Sequence, residues 1–88
     1  MLDIKYSSQF SRDLKKLKSD PETIEKLKKV IDLLVSMERL PEKYKDHKLT
    51  GNWVGFRDCH LRPDRLLIYR VSEDLLELAR VGSHSQLF

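Results

Sequence analysis

Eighty-eight residues make one domain's worth of chain, too short for two cores and near the lower limit for folding without disulfides or metals. With 40% hydrophobic and 35% charged residues, and no apolar run near the ~18 residues of a spanning helix, the composition excludes a disordered chain and a membrane span. Seventeen Lys and Arg against fourteen Asp and Glu leave a net charge of +3, compatible with a polyanionic partner but ordinary for the length.

Cys59 is the only cysteine, which leaves no intramolecular disulfide and no cysteine-rich zinc site and points to a reducing compartment. The opening residues, Met1-Leu2-Asp3-Ile4-Lys5-Tyr6, lack the apolar core and cleavage site of a secretory signal, so a cytoplasmic protein without membrane contact is expected. All ten lysines fall at or before Lys48, whereas five of the seven arginines follow it. Lysine solvates helix faces and arginine grips phosphate or carboxylate as a fork, although helix and strand propensities account for the same partition.

Leu2 to Tyr6 alternates apolar and polar residues, the period of a short strand with one buried face. Ser7 or Ser8 then caps a helix whose stripe is Phe10, Leu14 and Leu17. Asp20-Pro21-Glu22 restarts the pattern, with an N-cap, a proline at the first helical position and an acid at the positive helix end. The second helix is predicted to run to about Met37, its core stripe formed by Ile24, Leu27, Val30, Ile31, Leu34 and Val35, and to form an antiparallel hairpin with the first. From Glu38 to Trp53 periodicity is lost, and a long polar loop carrying Tyr44, Asp46 and His47 is expected. Three strand-like runs follow, Val54 to Leu61, Arg65 to Val71 and Leu75 to Val81, joined by turns at Arg62-Pro63-Asp64 and Ser72-Glu73-Asp74. The predicted fold is therefore α+β, a two-helix hairpin on a small antiparallel sheet in the order β-α-α-β-β-β, as a single domain over residues 1–88.

Leu66 to Tyr69 is apolar on both faces and reads as a central strand. The run before it sets Phe56, Asp58 and His60 on one face, where the polar groups must be exposed or paired, since leaving them desolvated costs roughly 2–7 kcal/mol each. His47, His60 and His84 all lie in the second half of the chain, at strand ends or in loops, where an antiparallel sheet can gather them at one edge. Taken singly, His60 reads equally well as a half-buried strand residue bonded to Asp58, and His47 and His84 as surface residues. The histidine separations match none of the paired spacings of zinc sites, and no phosphate-binding glycine loop, nucleophile elbow or dinucleotide fingerprint is present, so no cofactor is expected. Cys59 and His60 are strand neighbours pointing to opposite faces, which disfavours a thiolate–imidazole pair.

Imidazole, carboxylate and arginine without a metal suit RNA cleavage by internal transfer. One group takes the 2′-hydroxyl proton, another protonates the leaving 5′-oxygen, and an arginine meets the phosphoryl charge.

Several separated blocks carry a resemblance along essentially the whole chain: Tyr44-Lys45-Asp46-His47, Leu49-Thr50-Gly51-Asn52-Trp53, Phe56-Arg57-Asp58-Cys59-His60, Pro63-Asp64, Leu67-Ile68-Tyr69 and Arg80 to Phe88. In these the sequence resembles the RelE/YafQ-like bacterial toxins of type II toxin–antitoxin systems, the YafQ-like branch most closely. The resemblance implies the RelE-like microbial ribonuclease fold, cleavage of mRNA on the translating ribosome and inhibition by a cognate antitoxin, with operator DNA reached only through the antitoxin complex. It implies functional histidines at His47, His60 and His84, an active-site aspartate at Asp64, a phosphate-stabilising arginine at Arg80 and a C-terminal aromatic at Phe88. Proton transfer is expected of His47 and His84, with His60 and Asp64 orienting or tuning. The chain departs from the branch at Arg65, where an aromatic or apolar residue is common, and at Lys48, where proline is common. With Arg62, these two are expected to contact RNA. The alternatives are a non-catalytic binding module acting through a partner or repressor complex, and a ribonuclease that needs no ribosome.

Overall fold

Strand β4 (Arg65–Ser72) lies at the centre of a five-stranded sheet ordered β1-β5-β4-β3-β2 in the computed structural model, which describes residues 1–88. The other strands are β1 (Asp3–Tyr6), β2 (His47–Lys48), β3 (Arg57–Arg62) and β5 (Leu75–Gly82), and the helices are α1 (Ser8–Lys16), α2 (Pro21–Val35) and α3 (His84–Leu87). The sheet runs antiparallel from β5 to β2, as the tight turns demand. β1 differs from the expected antiparallel arrangement, because it pairs parallel with β5, Ile4 opposite Leu76. Alternation within Leu2–Tyr6 specifies a buried face but not a neighbour, and the long passage through two helices brings β1 back beside the last strand.

Local chemistry sets the helix starts. Ser7 Oγ accepts from the Phe10 amide (2.9 Å) and donates to the Ala79 carbonyl (2.7 Å), tying the cap of α1 to β5. Asp20 caps α2 by accepting from both the amide and the hydroxyl of Thr23, with Pro21 following at the first helical position. That helix ends at Val35 rather than Met37, because Met37 takes a left-handed conformation (φ 59°) that breaks it. Packing places α1 over β5 and α2 over β3, so the two helices rest on different strands, with an apolar groove lined by Phe10, Leu14, Ile24, Leu27 and Ile31 between them. No helix is long and apolar enough to cross a membrane.

The expected loop from Glu38 to Trp53 is partly ordered, with 3-10 turns at Glu42–Tyr44 and Gly51–Trp53 flanking β2. Strand β3 begins at Arg57 rather than Val54, since Gly55 (φ 90°) turns the chain just before it. As expected, β4 is buried on both faces. Leu67 and Tyr69 join the main core beneath the helices, while Leu66 and Ile68 pack against Leu87, Leu49, Trp53 and Phe56 on the opposite face.

β1 covers only the first half of β5, and at the uncovered half α1 supplies Asp13. This buried carboxylate accepts from Arg80 Nε (2.7 Å), Arg80 Nη2 (3.1 Å) and the Val81 amide (3.2 Å). Substituting Asp13 by Ala strands the Arg80 guanidinium and a backbone amide, and a loss of about 3 kcal/mol in urea denaturation is expected.

Candidate active site

The face of β3 turned away from α1 and α2 carries Asp58 and His60, and two other segments fold over it. β2 pairs with β3 so that His47 stands directly opposite Asp58. Asp46, next to His47, is gripped by Arg57 Nε and Nη2 (3.2 and 3.0 Å) and by the Tyr69 hydroxyl, which fixes the β2 segment to the sheet. Lys45 adopts a left-handed conformation (φ 51°, ψ 44°) that turns its carbonyl back toward His47, whose Nδ1 lies 2.8 Å away. A carbonyl only accepts, so the neutral His47 ring carries its proton on Nδ1 and leaves a lone pair on Nε2.

The second segment is α3. Sequence periodicity placed His84 in a loop, whereas it is the first residue of a helical turn held by a capping box in which Ser83 Oγ accepts from the Gln86 amide and Gln86 Oε1 accepts from the Ser83 amide. Asp64, in the β3–β4 turn, accepts from the His84 amide (3.1 Å) and from His84 Nδ1 (3.2 Å). These bonds hold the Asp64 carboxyl below the usual carboxylate range, and they leave Nε2 of His84 free in the same way as Nε2 of His47.

His60 stands beside both. Its ring centroid is 5.7 Å from that of His84, and the His84 ring is 6.3 Å from Phe88, which is 58% exposed. His60 Nδ1 is buried with no hydrogen-bond partner. Burial lowers the His60 pKa below the ordinary imidazole value, against the pull of Asp58, and so favours the neutral ring.

Asp58 is the residue that sequence reasoning left out of the site. It is 3% exposed, with Oδ1 only 3.1 Å from His47 Nδ1, a charge contact out of line for a hydrogen bond. Burial raises its pKa, and all three histidines act to lower it, which marks it as the charge they share. The signal was present in the unusual Phe56, Asp58, His60 face.

The structure thus gathers His47, His60, Asp64, His84 and Phe88. Arg80 makes no hydrogen bond or ion pair with them, its Nε and Nη2 being bound to Asp13 on α1. Arg62 pairs with Asp20 and Glu22 (3.1 and 3.0 Å), and Arg65 with Asp20 (3.3 Å) and the Asp64 carbonyl (2.8 Å). Lys48 is exposed on β2. Beside His60 opens a groove of about 380 Å³ whose cations are Lys26, Lys43, Lys45 and Arg62. Sequence reasoning gave these three lysines no place in the site, because a spacing pattern cannot show that α2 and a 3-10 turn meet. No group of three or more His, Cys, Asp or Glu side chains is arranged to hold a metal ion.

The profile of the family described as bacterial toxin of type II toxin–antitoxin system, YafQ, matches residues 2–88. The mRNA interferase toxin YafQ of Escherichia coli (strain K12) is 44% identical over 87 residues, 98% of this chain and 95% of the relative. Among solved structures, the E. coli DinJ–YafQ complex superposes with a TM-score of 0.89 at 43% identity, covering 100% of this chain and 99% of that one. A metal-bound toxin from Helicobacter pylori superposes at 0.91 with 46% identity, covering 100% of both chains. With the match running from the first strand through the histidine-bearing C-terminal turn, the chain belongs to the YafQ family of bacterial toxins of type II toxin–antitoxin systems.

Proposed function

We propose that this protein arrests translation by cutting mRNA on the ribosome, and that a cognate antitoxin restrains it. The observation that carries the reading is the pair of anchored histidines. His47 and His84 each have Nδ1 committed to a carbonyl or carboxylate and Nε2 free, beside His60, whose neutral form burial favours. The E. coli relative's name, mRNA interferase toxin, and the relative's complex with DinJ support the substrate class and the partner.

In the reaction, Nε2 of one anchored histidine takes the proton of the ribose 2′-hydroxyl as its oxygen attacks phosphorus. The P–O5′ bond breaks and the protonated Nε2 of the other delivers its proton to O5′, leaving a 2′,3′-cyclic phosphate and a 5′-hydroxyl. Asp64 and Asp58 stabilise the imidazolium forms, and His60 orients the phosphate. Arg80 spends two of its donors on Asp13 and keeps others for a phosphoryl oxygen. Phe88 offers an exposed ring for a base, and Arg62, Arg65, Lys48 and the lysine groove beside His60 hold RNA phosphates. Operator DNA is met only through the antitoxin, and the protein works in the cytoplasm.

Three outcomes test this reading. Substituting His84 by Ala should cut the rate of mRNA cleavage by roughly 10²–10⁴-fold and abolish growth arrest while the circular dichroism spectrum stays native; a folded variant that remains fully toxic overturns the assignment. Added chelator should leave cleavage unchanged, and chelator-sensitive cleavage would replace this mechanism with a metal-assisted one.

The third concerns Asp58. Its folded pKa is raised, so the stability it contributes is full below the ordinary aspartate value near 3.9 and is lost as pH rises through the higher folded value. Asp58→Asn should therefore raise the melting temperature at pH 7, with the advantage shrinking toward pH 4, while cleavage falls at least tenfold. A variant that is as active as the wild type removes Asp58 from the mechanism.

A further inference from the structure

Beside Phe88 the surface opens into a cleft of about 490 Å³, lined by Leu49, Thr50, Asn52, Trp53, Leu87 and Phe88. Its two walls continue the two segments that carry the anchored histidines. Leu49 and Thr50 follow His47 and Lys48 out of β2, and Leu87 and Phe88 end the turn that starts at His84. Gly51 (φ 64°) opens the 3-10 turn that brings Trp53 into the cleft, where the indole packs edge-on against Phe56 with centroids 5.3 Å apart. Trp53 is half-buried, whereas Thr50 and Asn52 are exposed at the rim.

We infer that this cleft is a base-reading subsite, which takes the base of the nucleotide flanking the scissile phosphate and makes Asn52 a specificity-determining residue. The occupant follows from three features of the cleft. Its volume lies in the range of roughly 300–1,000 Å³ that holds small ligands, which suits a single nucleotide. Its walls are apolar and aromatic, and an unstacked RNA base stacks favourably on such a ring whatever its identity. At the rim, the Asn52 carboxamide offers a donor and an acceptor side by side and Thr50 adds a hydroxyl, which is the equipment for reading a base edge. The cleft holds no cationic side chain, so phosphate is not its ligand. Being continuous with Phe88, it receives the base next to the phosphate that His84 serves. The inference rests on the proposed RNA cleavage for the identity of the strand, but its test does not need that activity.

Trp53 is the only tryptophan, so its fluorescence reports the cleft alone. The full chain is titrated with the 3′-monophosphates of adenosine, cytidine, guanosine and uridine. Saturable quenching is expected, with one nucleotide binding about tenfold more tightly than the weakest, and Asn52→Ala should bring the four together while quenching persists. Equal quenching by all four, or none that saturates, overturns the inference, and so does discrimination that survives both Asn52→Ala and Thr50→Ala. Cut-site mapping on ribosome-bound mRNA separates the two readings. A wild type that discriminates nucleotides but cuts no mRNA leaves the subsite standing and removes the proposed activity. A wild type that cuts, with an Asn52→Ala variant that keeps the same nucleotide preference at the cut, removes the subsite and leaves the activity.

Discussion

The middle of β4, Leu66 to Tyr69, is buried on both faces, and that constraint organises the molecule. Leu66, Leu67, Ile68 and Tyr69 are all buried, so both sides of the sheet must be covered by a chain of 88 residues. Two helices use 24 residues for one side. The other side receives only a 3-10 turn with Trp53 and the short α3 with Leu87, and these two thin covers meet over Leu66 and Ile68. The histidine-bearing segments are the ends of those covers, which places His47 and His84 at the rim of a small second core rather than in a deep cavity. The proposed active site is therefore open, a shape suited to a substrate presented from outside.

Carboxylates then decide what each histidine can do. Asp64 costs little, because it is exposed and its hydrogen bonds to His84 favour the ionised form. Asp58 is the opposite case, a buried acid whose charge is opposed by burial and supported by three imidazoles. An 88-residue domain has a small stability margin, of order 5–15 kcal/mol for folded proteins generally, so a buried charge there is informative. Asp13 shows what the fold does with a buried acid when structure is the aim: it saturates it with Arg80 and a backbone amide.

Much of the fold was legible in the residues. Asp20-Pro21 announced the start of α2, Pro63-Asp64 and Glu73-Asp74 the hairpins, and Leu66–Tyr69 the central strand. The parallel placement of β1 was not, because its neighbour is fixed by the path through two helices. The helical turn at His84 was written in Ser83 and Gln86, a capping box too short to show against strand periodicity. The histidines, Asp64 and Phe88 lie close together in the structure, while the pairing of Arg80 with Asp13, like that of Arg62 and Arg65 with Asp20, depends on distances across 42 to 67 residues of chain. Asp58 was visible as an oddity on its strand, but the histidine opposite it became apparent only once β2 had a register.

Cys59 sits beside Asp58 in sequence and on the opposite face of β3, fully buried, with burial and neighbouring carboxylates pushing its thiol strongly toward the protonated form. The thiolate is the reactive species, so oxidants and alkylating reagents find nothing to attack while the sheet is closed. Oxidative stress therefore leaves this thiol untouched in the native molecule. The same sulfur becomes available only when β3 separates from the helices, which makes the rate of its alkylation a clock for global opening, running independently of the chemistry on the other face of the strand.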